Sequence, residues 1–502
     1  MASENYSRML RENMIKIVAT LGPASSSKQM IKKLNEAGVD VFRINFSHGS
    51  HAEKRELVKT IREVNDYLCI LADIQGPKIR VGKFKDDKAF NLNVGQEVRV
   101  YENEDLLGNQ EQFSVPLVGF LKSMKKGDFF VVNDGIIKIK VKSLEKDYII
   151  GEVITGGLIS NNKGVNIPFG ELKQRVPTEK DIKDLELIAE LDTEYVAVSF
   201  VSSGDDVLHV KKLLENYGNS KIKIISKIER PIALENFDNI LDVSDGIMVA
   251  RGDLGVEISP DKVPLWQKEM IYKCNKEGKP VIVATQMLES MVNAPIPTRA
   301  EANDIFNAVI DGTDAVMLSA ETAVGSYPIE AVQYMNKISV TAKEHMLKRI
   351  PDNYDSDRLT HTQILGHAIH SLSTEMESLN FRGKILVITR EGIGARMISK
   401  YRPPLPIIAI TPLKRTAREL SLLWGVQPIH IENIDFFNLS AEDIIEQSVK
   451  VAVEKKAVDE NEHVIILVVS RKFEKRGNLI GFYYVGEILE KAAKNNKKEI
   501  KI

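Results

Sequence analysis

The sequence predicts an α/β protein in three parts: a (β/α)₈ TIM barrel, a small β-barrel domain inserted into it, and a C-terminal open α/β domain. Three observations point there. Between residues 15 and 346, short apolar β-branched runs alternate with longer stretches of helical periodicity, about eight times over. One gap in that alternation is filled by strand and turn signals alone, and beyond about residue 348 the alternation starts again.

The barrel runs fall at 15–19, 39–44, 68–72, 195–198, 222–225, 246–249, 281–284 and 314–318, the number that a closed parallel barrel requires. Helical stretches at 28–37, 179–191, 205–217 and 261–277 are long enough for the crossovers that parallel strands need. From about 78 to 175 the chain reads NVGQEVRV, KKGDFFVVNDGIIKIKV and YIIGEVITGG, alternating valine and isoleucine with Gly-Asp and Asp-Gly turns. This predicts an all-β domain in the third βα loop. Such loops open on the catalytic face of a barrel, which places the insertion as a lid. After the polar connector PDNYDSDR, the runs KILVIT, LPIIAI, VQPIHI and HVIILVV predict the separate α/β domain. The boundaries are therefore 1–77 with 176–347 for the barrel, 78–175 for the insertion and 348–502 for the last domain.

Composition narrows the function. A chain of 502 residues, 43% hydrophobic and 27% charged, is long enough for several packed cores. With 68 Lys and Arg against 70 Asp and Glu, the net charge of −2 gives no field that would gather nucleic acid or an anionic membrane. Cys69 and Cys274 are the only cysteines and stand far apart, which excludes a disulfide scaffold or a thiolate zinc site and suits a reducing cytoplasm. No apolar run approaches the ~18 residues of a membrane span, and the first residues lack the apolar segment of an export signal.

Polar residues cluster at the ends of the barrel runs: Arg43, Asn45 and Ser47 after the second, Asp73 after the third, Lys227 and Glu229 after the fifth, Arg251 and Asp253 after the sixth, Thr285 after the seventh, and Ser319 and Glu321 after the eighth. Singly, each is a common turn former or surface charge. A barrel, however, brings all these ends to one mouth. Glu229 and Asp253 offer hard carboxylate oxygens without a neighbouring His or Cys, a donor set for Mg²⁺ or Mn²⁺ rather than zinc. Arg43 and Lys227 are suited to neutralising the oxygens of a phosphoryl group.

In order along the chain, KIVATLGPAS (16–25), FRINFSHG (42–49), ADIQGPKIR (72–80), NKGVNIP (162–168), SKIER (226–230), MVARGDLGVE (248–257), ATQMLESM (284–291), PTRAEANDI (297–305) and DGTDAVMLSAETA (311–323) resemble the motifs of the pyruvate kinase family. The resemblance covers about 15 to 334 and implies phosphoryl transfer from phosphoenolpyruvate to ADP in a cytoplasmic homotetramer. It implies that Lys227 contacts the transferring phosphoryl group, that Glu229 and Asp253 hold the divalent metal, that Arg43 binds phosphate, and that Thr285 relays a proton through water to the methylene carbon. It further implies that the backbone of Gly252 and Asp253, with Ser319, meets the substrate, and that Asn45, His48, Arg80 and Lys163 lie near the nucleotide phosphates. Many relatives use K⁺ and carry Glu at the position of Lys78, with Thr and Lys where this chain has Ile74 and Gln75. The resemblance therefore implies that Lys78, with Asn45, Ser47 and Asp73 nearby, supplies the monovalent charge and that K⁺ is not required.

In the last domain, TREGIGAR (389–396) differs from the Ser/Thr-rich loop of relatives that bind fructose 1,6-bisphosphate. The motif set, SNNKG and LSAET included, is similar to bacterial forms that respond to AMP or sugar monophosphates, with Thr389, Arg390, Gly392, Gly394 and Arg396 as the candidate effector loop. Two other readings compete. A Mg²⁺-dependent aldolase or lyase acting on pyruvate enolate leaves Arg80, Lys163 and the lid without a role. A catalytically inactive sensor should have lost Lys227 or a metal ligand, and this chain has kept them.

Overall fold

The computed structural model describes residues 13–133, 135–167, 176–347, 361–432, 439–470 and 477–499, so the connector PDNYDSDR lies outside the described residues. Eight parallel strands close the barrel: β1 (Lys16–Leu21), β2 (Val41–Asn45), β3 (Cys69–Ile74), β4 (Tyr195–Val198), β5 (Lys223–Ile228), β6 (Gly246–Ala250), β7 (Val281–Ala284) and β8 (Ala315–Leu318). Each strand pairs with its neighbours in sequence order, and β1 pairs with β8 to close the ring. Several strands run one to three residues beyond their apolar runs. Asn45, Asp73 and Lys227 are thus strand residues, held in ladder register rather than free in loops.

The crossover helices start where local chemistry dictates. Ser50 and Thr178 cap the helices His51–Val64 and Glu179–Glu190 through reciprocal capping boxes with Glu53 and Asp181, which satisfy amide groups that the first turn leaves open. Thr298 does the same with Glu301 for Arg299–Ile310.

The expected insertion leaves between β3 and β4 and takes the form of a six-stranded sheet with a two-stranded ribbon. The two share a core that includes Leu92, Phe113, Phe130, Ile139 and Ile159. Its two stems touch as they leave the barrel: Val81 N–H donates to Lys163 O and Val165 N–H to Ile79 O, with Arg80 bridged to Gly164. The last domain has a five-stranded sheet in the spatial order Val426–His430, Ile407–Thr411, Gly383–Ile388, His463–Ser470, Gly477–Tyr484. The first four strands are parallel, and the fifth, which the apolar runs did not reveal, returns antiparallel as a hairpin partner.

This domain closes the bottom of the barrel. Leu422 is fully buried in a cluster with side chains from all eight barrel strands, among them Val18, Leu71, Tyr195 and Met248. Trp424 joins the main core between barrel and helices. Buried polar bonds fix the join: Lys16 Nζ donates to Val426 O at 2.7 Å, Arg402 reaches Asp314 Oδ2 at 2.9 Å, and Asp314 Oδ1 accepts from Trp424 N–H at 3.1 Å. A floor at this end leaves the opposite, C-terminal end of the strands as the mouth. Leu422→Ala should cost about 2–5 kcal/mol for a truncated, fully buried leucine. Calorimetry should show a lowered unfolding temperature; an unchanged one would mean that the two domains do not unfold as one unit.

Candidate active site

Four consecutive strand ends, those of β2 to β5, build the centre of the mouth. Arg43 on β2 donates from Nε to Asp73 Oδ2 at 2.7 Å and from NH1 to Thr20 Oγ1 at 2.9 Å. Asp73 on β3, 1% exposed, gives its other oxygen to Lys227 Nζ at 3.3 Å. Lys227 on β5 also reaches Ser199 Oγ at 2.6 Å and Glu229 Oε1 at 3.1 Å. Glu229 is itself buried and accepts from the Phe200 amide at 2.6 Å. The cluster alternates charge, Arg43, Asp73, Lys227, Glu229, which is how charges survive away from water.

That alternation sets the protonation states. Burial works against ionised Asp73, but Arg43 and Lys227 outweigh it and hold the carboxyl below the usual range. Burial likewise opposes the Lys227 charge, yet Asp73 and Glu229 raise the ammonium above an ordinary lysine. Glu229 is pushed up by burial and by the nearby charge of Asp253, against the pull of Lys227. A carboxylate raised in this way is a site that an added cation would relieve.

Asp253 stands in the first turn of the short helix Arg251–Glu257, which follows β6 directly. Its Oδ1 accepts from Lys78 Nζ at 3.0 Å. Lys78 therefore bonds Asp253 rather than Asn45, Ser47 or Asp73; the Asn45 side chain accepts from the Ser47 amide, and Asp73 is engaged by Arg43 and Lys227. Among the described residues no three His, Cys, Asp or Glu side chains group as a metal cage. Two carboxylates with the remaining positions left to water and substrate oxygens is the arrangement that Mg²⁺ accepts, so Glu229 and Asp253 fit such an ion.

At the lip, Thr285 Oγ1 accepts from Gly252 N–H at 2.7 Å and donates to Ala284 O at 2.5 Å. Its backbone has φ +69°, and that of Gln286 +54°, conformations costly for a β-branched residue and typical of functional sites. A Cβ at position 252 would lie 3.3 Å from Thr285 Oγ1, a tight contact that would press on that hydroxyl. The amide of Gly252, expected to face a substrate carboxylate, is here bonded to Thr285. Ser319 turns its amide to Glu321 Oε2 at 2.7 Å.

Two residues counted at the mouth are structural. Arg251 spans to the carbonyls of Ala284 and Thr285 and to Asp304, tying β7 to β6. Glu321, 1% exposed, accepts from the amides of Leu288 and Ser319. Conversely, Thr20, Ser199 and the Phe200 amide belong to the cluster and were not singled out. Ser199 directly follows a barrel run, the very signal that marked the others.

Arg80 and Lys163 sit side by side on the paired stems of the insertion, Arg80 donating to Asn162 O at 2.8 Å. His48, exposed at the β2 end, is held below the usual histidine range by partial burial and then by Arg80, Lys54, Lys180 and Arg43, so this flank of the mouth is cationic. In the last domain Thr389 Oγ1 accepts from Gly392 N–H at 3.2 Å, Gly392 has φ +78°, and Arg396 leans toward Glu419 at 3.5 Å.

Comparison with known proteins agrees with this geometry. Residues 12–332 match the family model "Pyruvate kinase, barrel domain", and residues 368–479 match "Pyruvate kinase, alpha/beta domain". The chain is 41% identical to a pyruvate kinase of Staphylococcus saprophyticus over 484 residues, covering 95% of this chain and 81% of the relative. It is 40% identical over 485 residues to one from Sporosarcina psychrophila, with 94% and 81% covered. A Staphylococcus aureus pyruvate kinase is 42% identical over 458 residues, with 90% and 77% covered. A barrel whose mouth buries a lysine between acidic side chains, and whose sequence aligns with these enzymes over 90–95% of this chain, belongs to the pyruvate kinase family of phosphotransferases.

Proposed function

We propose that this mouth transfers the phosphoryl group of phosphoenolpyruvate to ADP, giving pyruvate and ATP. The observation that carries the reading is the buried cluster in which Lys227 is held by Asp73, Ser199 and Glu229. A terminal phosphate oxygen of ADP attacks phosphorus, the bond to the enol oxygen breaks, and the enolate takes a proton at its methylene carbon. Lys227 and Arg43 neutralise the equatorial oxygens of the group in transit. Glu229 and Asp253 would hold Mg²⁺ or Mn²⁺, which supplies Lewis-acid charge when bound. The Thr285 hydroxyl gives its own proton to Ala284 O, so its part is to orient the water that protonates the enolate. Asn45, His48, Arg80 and Lys163 would receive the nucleotide phosphates, with the insertion as a lid that keeps water out.

Lys78 stands on a mouth carboxylate, where a covalently tethered ammonium takes over the charge of a monovalent ion. The loop of Thr389, Arg390, Gly392, Gly394 and Arg396 would bind an AMP or sugar-monophosphate effector. We also place the enzyme in the cytoplasm, a reading supported by two buried, unpaired cysteines. Among the described residues no helix is long and apolar enough to cross a membrane. Its assembly would be a homotetramer, and the apolar groove lined by Ala302, Phe306, Tyr334 and Ile338 is a surface for a second copy to cover.

Pyruvate release from phosphoenolpyruvate with ADP and Mg²⁺ tests the central claim. One charge at ~4 Å with an effective dielectric near 20 is worth roughly 4 kcal/mol, so Lys227→Met should lower kcat by about 10³-fold. Normal turnover by that variant would sink the assignment. The rate should be the same with KCl as in a potassium- and sodium-free buffer containing a bulky organic cation; a large stimulation by KCl would overturn the role of Lys78. Thr389→Ala should weaken activation by AMP or a sugar monophosphate, and an intact response would move the effector site elsewhere.

A further inference from the structure

Arg251 stands where two strands end together. Ala250 of β6 is in register with Ala284 of β7, so the next residues on each, Arg251 and Thr285, lie side by side just beyond the ladder. The Arg251 backbone opens the helix Arg251–Glu257, and its side chain, 10% exposed, reaches the segment that follows β7. NH2 donates to Thr285 O at 2.8 Å and to Met287 Sδ, and Nε donates to Ala284 O at 3.3 Å. NH1 holds Asp304 Oδ1 at 2.7 Å, on the helix Arg299–Ile310, and Gln267 Oε1 at 3.4 Å. A guanidinium has five N–H groups, and these five acceptors match them, so none is left over for a substrate oxygen.

The segment held in this way is the one that needs holding. Thr285 and Gln286 follow each other at φ +69° and +54°, and such a backbone persists only where its surroundings over-determine it. The hydroxyl is fixed with it. Thr285 Oγ1 gives its hydrogen to Ala284 O, the same carbonyl that Arg251 Nε reaches, and accepts from the N–H of Gly252, the residue after Arg251. A threonine oxygen has two lone pairs, so one is left to accept from the water that protonates the enolate in the reading above, on which this inference rests. That water gives its other hydrogen to the methylene carbon. The double-bond electron pair forms the new C–H bond, the enolate oxygen becomes the ketone, and the hydroxide left behind takes a proton from solvent.

We propose that Arg251 is a positioning residue for the protonation of the enolate and not for phosphoryl transfer. Its planar fork holds the carbonyls of Ala284 and Thr285 at once, while Asp304 and Gln267 hold the fork, so the left-handed turn and the hydroxyl that it carries keep one orientation. Phosphoryl transfer has separate supports. Arg43, Asp73, Lys227 and Glu229 are bonded to one another and to Thr20, Ser199 and the Phe200 amide, and none of these contacts includes Arg251. The two halves of the reaction therefore answer to different residues.

The test uses the full chain. Exchange of the pyruvate methyl hydrogens for deuterium, followed by proton NMR with Mg²⁺ and ATP, reads the proton step. ATP formed from phosphoenolpyruvate and ADP in the first turnover, by rapid quench, reads phosphoryl transfer, and Mn²⁺ binding by electron paramagnetic resonance reads the neighbouring Asp253. Arg251→Met should slow methyl exchange by roughly 10²-fold, the scale of a misplaced reacting group, while first-turnover ATP formation and Mn²⁺ affinity stay within about 3-fold of the wild type. Arg251→Lys keeps the charge without the fork and should restore little of the exchange. Arg251→Met combined with Thr285→Ala should exchange no more slowly than Thr285→Ala alone, since the arginine acts through that hydroxyl. Equal losses of exchange, ATP formation and Mn²⁺ affinity would make Arg251 a brace of the whole mouth and overturn the proposal, as would full rescue by Arg251→Lys or additive losses in the double variant. If Thr285→Ala exchanges normally, the proton role of Thr285 falls and that of Arg251 with it. If the wild type forms no ATP from phosphoenolpyruvate and ADP, the function proposed above fails, and this inference fails with it.

Discussion

A lysine ammonium with little access to water is the constraint around which this molecule is arranged. Lys227, its side chain 12% exposed, has Asp73 and Glu229 within 3.3 Å, and they more than offset the burial that opposes its charge. Removing either partner would leave an uncompensated buried charge, which costs several kcal/mol. The carboxylates are subject to the same condition, so Arg43 must hold Asp73 and the Phe200 amide must hold Glu229. None of these groups can be placed by a flexible loop. They sit on β2, β3 and β5, or directly after β4 and β5, and ladder hydrogen bonds fix their relative heights.

The fourth strand shows how far that rigidity extends. It is four residues long, and its two ends serve opposite faces of the barrel. At the bottom, Tyr195 donates its hydroxyl to Glu419 O of the last domain, and the preceding Glu194 is held by Arg62 and Arg418. At the top, Ser199 meets Lys227, and the Phe200 amide, in a backbone of φ +58°, meets Glu229. A shift of the last domain against the barrel would therefore be felt at the reacting groups through a few covalently linked residues. This is a contiguous path with named ends, Glu419 below and Lys227 and Glu229 above.

The sequence made much of this legible because barrel chemistry is periodic. A polar residue that closes an apolar run, as Asp73 and Lys227 do, has nowhere to go but the mouth once the strands are parallel and closed. The same rule applied too broadly drew in Arg251 and Glu321, whose side chains satisfy backbone groups rather than face the opening. Nothing in their spacing separates a carboxylate that accepts amide hydrogens from one that awaits a metal. Thr20 directly follows the first apolar run and carried the same signal as Ser199; its hydroxyl reaches the cluster through Arg43 on the neighbouring strand. The barrel floor was beyond reach for a different reason. Leu422 reads as an ordinary core residue of its own domain, and its contacts lie hundreds of positions away.

The same distinction explains the two faces of the paired acids. Glu229 is engaged on both oxygens by the chain itself, by Lys227 and by the Phe200 amide, whereas Asp253 has one bond, and that bond comes from the insertion. The first carboxylate is therefore part of the permanent scaffold, positioned before any ligand arrives. The second is tied to the inserted domain through Lys78. Preorganisation favours the fixed donor, since no order need be created when an ion or a phosphate enters. A donor shared with the lid gives something a rigid pair would lack, a way for the state of the opening to reach the chemistry beneath it. The two carboxylates at adjacent strand ends thus differ in their support, one held by the barrel alone and the other shared with the inserted domain.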